Sequence, residues 1–175
     1  MAKKISGKIR ALIIFAISVI VLAFVDQITK IWAVDVLKKN DPIVIIDGVF
    51  EFHYLENTGT AWGLFGGAVN FFIITTVIIL VGIIYVEYKM PFTKKYMPMH
   101  ITAILIGAGG IGNFIDRAVL GYVRDFIYFK LIDFPVFNVA DMYVTVSQIL
   151  FVILILFVYH EGDFKFLKPG KSKRI

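Results

Sequence analysis

Residues 69–86 read VNFFIITTVIILVGIIYV, a stretch without a single Asp, Glu, Lys or Arg. A bilayer core about 30 Å thick is crossed by roughly 20 apolar helical residues, so the stretch predicts a membrane-spanning helix. It ends an uncharged run that begins at Asn57, and the Gly-rich first part of that run, up to Gly67, predicts a loop. The chain is 59% hydrophobic and only 18% charged, which excludes an ordinary soluble domain.

Three further uncharged runs, at residues 11–25, 96–115 and 142–160, complete the pattern. Together they predict an all-α polytopic membrane protein with four transmembrane helices and a small extracytoplasmic β-sheet or hairpin region. The 175 residues are expected to form one membrane-embedded domain, residues 1–175. The predicted spans are about 11–32, 69–88, 97–117 and 141–160, and the outer loops are 33–68 and 118–140.

The first run has an alternative interpretation, because basic residues before an apolar segment are also typical of a secretory signal peptide. Those residues are Lys3, Lys4, Lys8 and Arg10. No A-x-A-like cleavage site follows the run, Asp26 and Lys30 continue its helical pattern, and three more spans follow. We therefore interpret the run as a membrane anchor.

Basic residues also set the orientation, because Lys and Arg are retained in cytoplasmic segments. With both termini cytoplasmic, twelve of the eighteen Lys and Arg lie in the inner segments, although the outer loops are longer. The net charge of +5 is then explained by membrane orientation and contact with membrane lipids rather than by nucleic acid, for which no motif is present.

This orientation places one end of each of the four spans on the extracytoplasmic side, together with four aspartates. Asp26, Asp116, Asp125 and Asp141 are expected to meet there, and ionisable groups at membrane depth are functional candidates. Each also has an ordinary interpretation as an interfacial or capping carboxylate. Asn138 and Asp141 have the spacing of an N-cap with an acidic first turn, and Asp26 and Lys30 have the spacing of a helix ion pair.

The available chemistry is narrow because the chain has no cysteine. Disulfides, a thiol nucleophile, Cys-ligated zinc and lipidation of the chain's own cysteine are excluded. The serines and histidines are too scattered for a triad, and His53, the one outer histidine, has no second histidine near it to suggest a metal site. Two carboxylates that share a proton can activate water against an amide, and we favour Asp125 and Asp141 as this pair. The dipole of a helix N-terminus is expected to keep Asp141 ionised, which leaves the proton on Asp125.

Other patterns have structural interpretations. Residues 107–112 match G-x-G-x-x-G but lie inside an apolar span, so they indicate close helix packing rather than a nucleotide site. Residues 43–56 predict a hairpin around Asp47-Gly48 with an aromatic face on the bilayer surface, and residues 126–137 predict a similar segment. The outer aromatic residues are expected to form a membrane-interface belt and an apolar vestibule, and they are Trp32, Trp62, Tyr122, Tyr128 and Phe137.

Five short motifs, in this order, resemble the lipoprotein signal peptidase family, which comprises four-span bacterial aspartyl endopeptidases (type II signal peptidases). The motifs are Asp26-Gln27-Ile28-Thr29-Lys30, Asn57-Thr58-Gly59-Thr60-Ala61-Trp62-Gly63, Gly112-Asn113-Phe114-Ile115-Asp116-Arg117, Val123-Arg124-Asp125-Phe126 and Phe137-Asn138-Val139-Ala140-Asp141. Departures from the family pattern are Glu56, Thr60 and Arg124, of which Glu56 and Arg124 are expected to affect substrate preference or loop position.

The resemblance implies that Asp125 and Asp141 are catalytic, in agreement with the pair chosen from placement. It implies that the substrate is a diacylglyceryl-modified prolipoprotein cut before its lipidated cysteine, in the bacterial cytoplasmic membrane with the active site on the extracytoplasmic side. It also implies that Asp116 supports Arg117, that no metal or cofactor is needed, that globomycin is a possible inhibitor, and that no obligate protein partner exists. The residues implied to line or brace the site are Asp26, Lys30, Asn57, Gly59, Asn113, Asp116, Arg117, Asn138 and Ala140.

Two other classes stay open at this level. A small ion-coupled transporter uses intramembrane carboxylates, although carriers usually place them near the midplane and show repeats. A non-enzymatic membrane subunit that binds a partner through the outer sheet is the third possibility, and its Asp residues would tolerate replacement by Asn.

Overall fold

Four long apolar helices dominate the part of the chain that the computed structural model describes, which is residues 2–59 and 69–167, with side chains from residue 7 onward. Helix α1 covers Ala2–Leu37, α2 Val69–Lys89, α3 Met97–Leu120 and α4 Val139–Ile153. Each helix, α4 with its π-helical extension Leu154–Val158, is long and apolar enough to cross a membrane. The four predicted spans are thus confirmed, whereas Trp62, the loop after Gly59 and the basic tail after Leu167 lie outside the described residues.

Two of the helices extend beyond their predicted ends. Helix α1 continues past Trp32 to Leu37. Lys30 is accommodated inside this helix because its ammonium is buried against the Asp26 carboxylate one turn away. Helix α3 continues to Leu120 and stops at Gly121, whose φ of +79° is a left-handed helix end that glycine adopts without strain.

Helix α3 is the centre of the bundle and packs against the other three helices. Its glycines permit close approach, as the small-residue spacing predicts. A Cβ on Gly109 would lie 2.5 Å from the backbone oxygen of Ala140 in α4, and a Cβ on Gly112 would lie 2.5 Å from Oδ2 of Asp26 in α1. These two contacts bring α1 and α4 to the same end of α3.

A three-stranded antiparallel sheet lies at this end, with strand order β1-β2-β3. The predicted hairpin is present: β1 is Ile43–Ile46, β2 is Phe50–Asn57, and Gly48 in the turn has φ +68°. The third strand, β3, is Val123–Tyr128 and pairs with β2. The predicted strand-like character of residues 126–137 is therefore correct only at the start, since a 3₁₀ turn at Lys130–Ile132 follows, and Phe137 returns to bridge Ile127.

The aromatic side of the sheet packs in part on α1, while the expectation that the sheet lies on the bilayer surface stays a prediction. The Trp32 ring makes edge contacts with Phe52 at 5.4 Å and Phe126 at 6.0 Å. Ala33 and Leu37 are buried under the same sheet. The longer α1 supplies the apolar surface that this face buries, which fixes the sheet over the ends of the helices.

At the opposite end of the bundle, a second apolar cluster includes Met90, Met99 and Tyr159. Beside it, Nδ1 of His100 lies 2.7 Å from Oε1 of Glu87, and both side chains are buried. This pair ties the end of α2 to the start of α3.

Candidate active site

The four outer carboxylates converge where α1, α3, β3 and α4 meet. The side chains of Asp26, Asp116 and Asp125 are almost completely buried, with 0–1% of their surface exposed. The structure thus brings together the acidic residues that the predicted topology placed on one side. Most of the residues that the sequence suggested as supports lie among them: Lys30, Asn57, Asn113, Arg117, Asn138 and, through its backbone N–H, Ala140.

Asp125 lies in the middle of β3, where two amides hold its carboxylate. Asn138 Nδ2 donates to Oδ1 at 2.6 Å, and Asn57 Nδ2 donates to Oδ2 at 2.9 Å. Burial, reinforced by the negative charge of Asp141, raises the pKa of Asp125 from its ordinary value of 3.8 to about 7. The two amide donors oppose this rise because they stabilise the ionised carboxylate. Asp125 is therefore able to hold a proton near neutral pH.

Asp141 lies in the first turn of α4 and is fixed by a capping box. Its backbone N–H donates to Oδ1 of Asn138 at 3.0 Å, and its Oδ2 accepts from the backbone N–H of Asn138 at 3.1 Å. The sequence prediction of an N-cap followed by an acidic first turn is correct. A second donor to this carboxylate, Asn113 Nδ2, reaches Asp141 Oδ1 at 2.7 Å.

Two asparagines connect the carboxylates to each other. Asn138 donates to both Asp125 and Oδ1 of Asn113, the latter at 3.1 Å. The same Asn113 oxygen accepts from Lys30 Nζ at 2.9 Å, so the Asn113 amide nitrogen is left to face Asp141. Every polar atom of these two amides has a partner, which fixes the carboxylates relative to each other without a direct contact between them.

A buried ion network supports this arrangement from α1. Lys30 Nζ lies 2.9 Å from Asp26 and 3.6 Å from Asp116, and all three side chains are fully buried. The other oxygen of Asp26 accepts the backbone N–H of Ala140 at 2.8 Å, immediately before Asp141. The predicted Asp26–Lys30 pair thus exists, and it holds the start of α4 in place.

Asp116 forms hydrogen bonds with Arg124, which the sequence did not indicate. Its carboxylate accepts from the Arg124 side chain at 2.7 and 3.1 Å and from the Arg124 backbone N–H at 2.9 Å. Its charge also attracts Arg117, so the support of Asp116 for Arg117 stays a prediction. Gln27 accepts from the Arg124 guanidinium at 2.8 Å. Gln27 stood in the quoted motifs without a role, and Arg124 was expected only to affect substrate preference or loop position, because their contact joins residues 97 apart in sequence.

Arg117 rests on the ring of Phe72, with its guanidinium carbon 4.9 Å from the ring centroid. Asn57 is fixed from its other side, because its Oδ1 accepts the backbone N–H of Gly59 at 3.1 Å. Arg117, Asn57 and Gly59 all line the same cavity.

That cavity has a volume of about 840 Å³ and contains both Asp125 and Asp141 on its wall. Much of the rest of the wall is apolar, formed by Phe72, Ile132, Phe134, Pro135, Val136, Phe137, Met142 and Val146. Within residues 2–59 and 69–167, no group of three or more His, Cys, Asp or Glu is arranged to hold a metal ion. That no cofactor is needed stays a prediction.

Comparison with known proteins identifies the family. The family described as "Signal peptidase (SPase) II" matches residues 17–157. A lipoprotein signal peptidase of Streptococcus thermophilus (strain CNRZ 1066) is 42% identical over 150 residues, which covers 85% of this chain and 96% of the relative. One of Clostridium novyi (strain NT) is 39% identical over 140 residues, covering 78% and 91%.

Two solved structures, each described as a bacterial membrane enzyme studied by the in meso method, share 32% identity with this chain. One has a TM-score of 0.69 and covers 92% of this chain and 93% of its own; the other has a TM-score of 0.71 and covers 83% and 94%. These matches do not favour a transporter. The chain belongs to the signal peptidase II family and is a multi-pass bacterial membrane protease.

Proposed function

We propose that this chain is an aspartic endopeptidase that removes the signal peptide from diacylglyceryl-modified bacterial prolipoproteins and that Asp125 and Asp141 are its catalytic pair. The observation that carries this proposal is that both carboxylates line one cavity while amides fix them relative to each other. The names of the relatives support the substrate class.

The reaction follows from the environments of the two acids. Asp141 lies at a helix N-terminus and accepts two hydrogen bonds, both of which stabilise its ionised form. Asp125, whose pKa is about 7, carries the shared proton. Ionised Asp141 takes a proton from a water as the water oxygen bonds to the scissile carbonyl carbon, and Asp125 gives its proton to the carbonyl oxygen. The C–N bond then breaks as Asp141 gives its proton to the leaving amine, while one hydroxyl of the tetrahedral intermediate gives its proton to Asp125 and becomes the new carbonyl oxygen, which restores both acids.

The apolar wall of the cavity suits a substrate that remains in the membrane. A diacylglyceryl group has long acyl chains, and contact with Phe134, Met142 and Val146 is more favourable in free energy for these chains than contact with water. The scissile amide then meets the carboxylates near the ends of the helices. Anchoring at two points orients the substrate without additional chemistry. We expect globomycin to inhibit by occupying this cavity and expect no obligate protein partner.

The test is cleavage of a diacylglyceryl-modified prolipoprotein by the purified chain in detergent. We expect Asp125→Asn and Asp141→Asn each to abolish cleavage because neither acid can replace the other. The matched control is Asp47→Asn in the exposed hairpin turn, where Asn-Gly forms the same turn, and this variant should retain activity. Cleavage by either dyad variant would refute the catalytic assignment.

The orientation is tested separately. The active site and the hairpin are proposed to face the extracytoplasmic side, with both termini cytoplasmic. Because the chain has no cysteine, a single Asp47→Cys or Gly162→Cys variant gives an unambiguous labelling site. A membrane-impermeant maleimide added to whole cells should label position 47 and leave position 162 unlabelled. The reverse pattern would refute the orientation.

A further inference from the structure

Each proposed catalytic aspartate follows a residue whose backbone N–H is held by a buried carboxylate. The backbone N–H of Ala140, before Asp141, donates to Asp26 at 2.8 Å. The backbone N–H of Arg124, before Asp125, donates to Asp116 at 2.9 Å. The two arms of the site are thus anchored in the same way, but the Asp125 arm has an additional anchor.

The strand pairing is irregular on one side of Asp125. The ladder between β2 and β3 shifts register between Phe52 and Leu55, and Leu55 is the partner of Asp125. Beyond Asp125, the backbone N–H groups of Phe126 and Ile127 both donate to the single carbonyl of Phe137. Pairing with β2 is regular from Val123 to Asp125 and is interrupted beyond it, so Asp125 is the last residue of the regular segment. Contacts from outside the sheet therefore add to the position of the strand at this point.

The Arg124 side chain supplies such contacts. Its Nε and Nη2 donate to the two oxygens of Asp116 at 3.1 and 2.7 Å, and Nη2 also donates to Gln27 at 2.8 Å. Gln27 in turn donates to Asp116 and to the backbone oxygen of Gly112, each at 3.1 Å. One guanidinium therefore ties β3 to both α1 and α3, and only 11% of the Arg124 side chain is exposed.

Arg124 is placed to act on geometry rather than on substrate. Successive side chains of a strand point to opposite faces, so Arg124 points away from the side on which Asp125 faces Asn57 and Asn138. Among the described residues, those that line the large cavity include Asp125 but not Arg124.

We propose that Arg124 is a positioning residue for proteolysis, which acts through Asp116 and Gln27 to fix the backbone of β3 at Asp125. This inference rests on the proposed function of Asp125. A planar guanidinium reaches both oxygens of Asp116 and the Gln27 oxygen at once, whereas an ammonium makes only a point contact. The proposal therefore predicts that kcat of Arg124→Lys lies between kcat of wild type and kcat of a variant with a neutral residue at this position.

The experiment measures kcat and KM with diacylglyceryl-modified prolipoprotein for Arg124→Val and Arg124→Lys. Misplacement of a catalytic group by about 1 Å costs on the order of 100-fold in rate, so kcat of Arg124→Val should fall about 10- to 100-fold with KM within about two-fold of wild type. Arg124→Lys should have an intermediate kcat. The matched control is Lys130→Gln, which removes an ionic contact of 3.1 Å to Glu51 on the same sheet and should leave kcat unchanged.

The outcomes separate this proposal from its foundation. Wild-type kcat in Arg124→Val, or a rise in KM alone, overturns the positioning role. If Arg124→Val does not fold, Arg124→Lys decides: its kcat must fall at unchanged KM while its melting temperature stays near that of Lys130→Gln. A kcat of Arg124→Lys equal to wild type overturns the proposal. Cleavage by Asp125→Asn, in contrast, would refute the proposed function itself.

Discussion

The hydrogen bond from Asn57 to Asp125 allows the protonation of the proposed dyad to be tested by one substitution. Asn57 Nδ2 lies 2.9 Å from Oδ2 of Asp125 and favours the ionised form, so it holds the pKa of Asp125 below the value that burial alone would give. Replacing Asn57 with Ala removes this donor. The pKa of Asp125 should therefore rise further above about 7.

The size of the rise follows from the strength of such a bond. A hydrogen bond to a charged group contributes about 1.5–3 kcal/mol, and one pKa unit corresponds to about 1.4 kcal/mol. Asn57 is half-buried, so water replaces part of the lost interaction, and we expect a rise of about one unit. In the proposed mechanism, cleavage requires the proton on Asp125. Cleavage activity is therefore present below the pKa of Asp125 and lost above it. The basic limb of the kcat/KM profile should move from near pH 7 to about pH 8.

The assay is cleavage of diacylglyceryl-modified prolipoprotein in detergent from about pH 5 to about pH 9. Asn57→Asp keeps an acceptor for the backbone N–H of Gly59 but adds a negative charge, so its basic limb should move upward at least as far. The control is Asn40→Ala, an exposed asparagine whose amide donates to Val36 O at 2.7 Å, and its profile should match wild type. An active, folded Asn57→Ala variant whose basic limb stays in place or moves downward would refute the assignment of the shared proton to Asp125.

Three further substitutions test the supports of the site. Because the folded-state pKa of Asp125 is raised, the contribution of this residue to folding stability is fully present below about pH 4 and is lost as pH rises to about 7. Compared with wild type, Asp125→Asn should lack this loss in its melting temperature over the same pH range, and an identical pH dependence would contradict the raised pKa. Lys30→Met leaves the buried Asp26 charge without its salt-bridge partner and should lower the free energy of unfolding by about 3–5 kcal/mol. The melting temperature should drop strongly, and a wild-type melting temperature would contradict the role of this ion pair. Gly112→Ala places a Cβ 2.5 Å from Asp26 and should reduce both stability and activity, whereas Gly82→Ala, which meets nothing within 4 Å, should do neither; equal behaviour of the two would contradict the close packing of α1 and α3.

Hydropathy and charge counting predicted the spans because every helix that crosses the bilayer must be apolar over about 20 residues. The same topology predicted which carboxylates meet, since alternate span ends necessarily share a side. Asp125 and Asp141 could therefore be paired from the sequence alone. Their actual connection, through the amides of Asn113 and Asn138, depends on side-chain directions that spacing does not encode.

Contacts between distant segments were the part that the sequence could not supply. The Arg124–Gln27 hydrogen bond and the support of Asp116 for Arg124 join residues with no shared periodicity. The aromatic face of the sheet was assigned to the bilayer surface from its alternating pattern alone. Once the helix continues to Leu37, its own surface is the nearest apolar partner for Phe52 and Phe126.

Asn138 has a consequence for how substitutions at that position should be interpreted. Its oxygen begins α4, and its nitrogen reaches Asp125 at 2.6 Å. Ser and Asp are interchangeable with Asn as helix starters, yet neither carries an amide nitrogen. In a saturation library scored both for abundance and for growth that depends on lipoprotein maturation, Ser and Asp at this position should give abundant but inactive protein. The usual equivalence of these three residues therefore does not extend to an asparagine that caps a helix and also binds a carboxylate on a neighbouring strand.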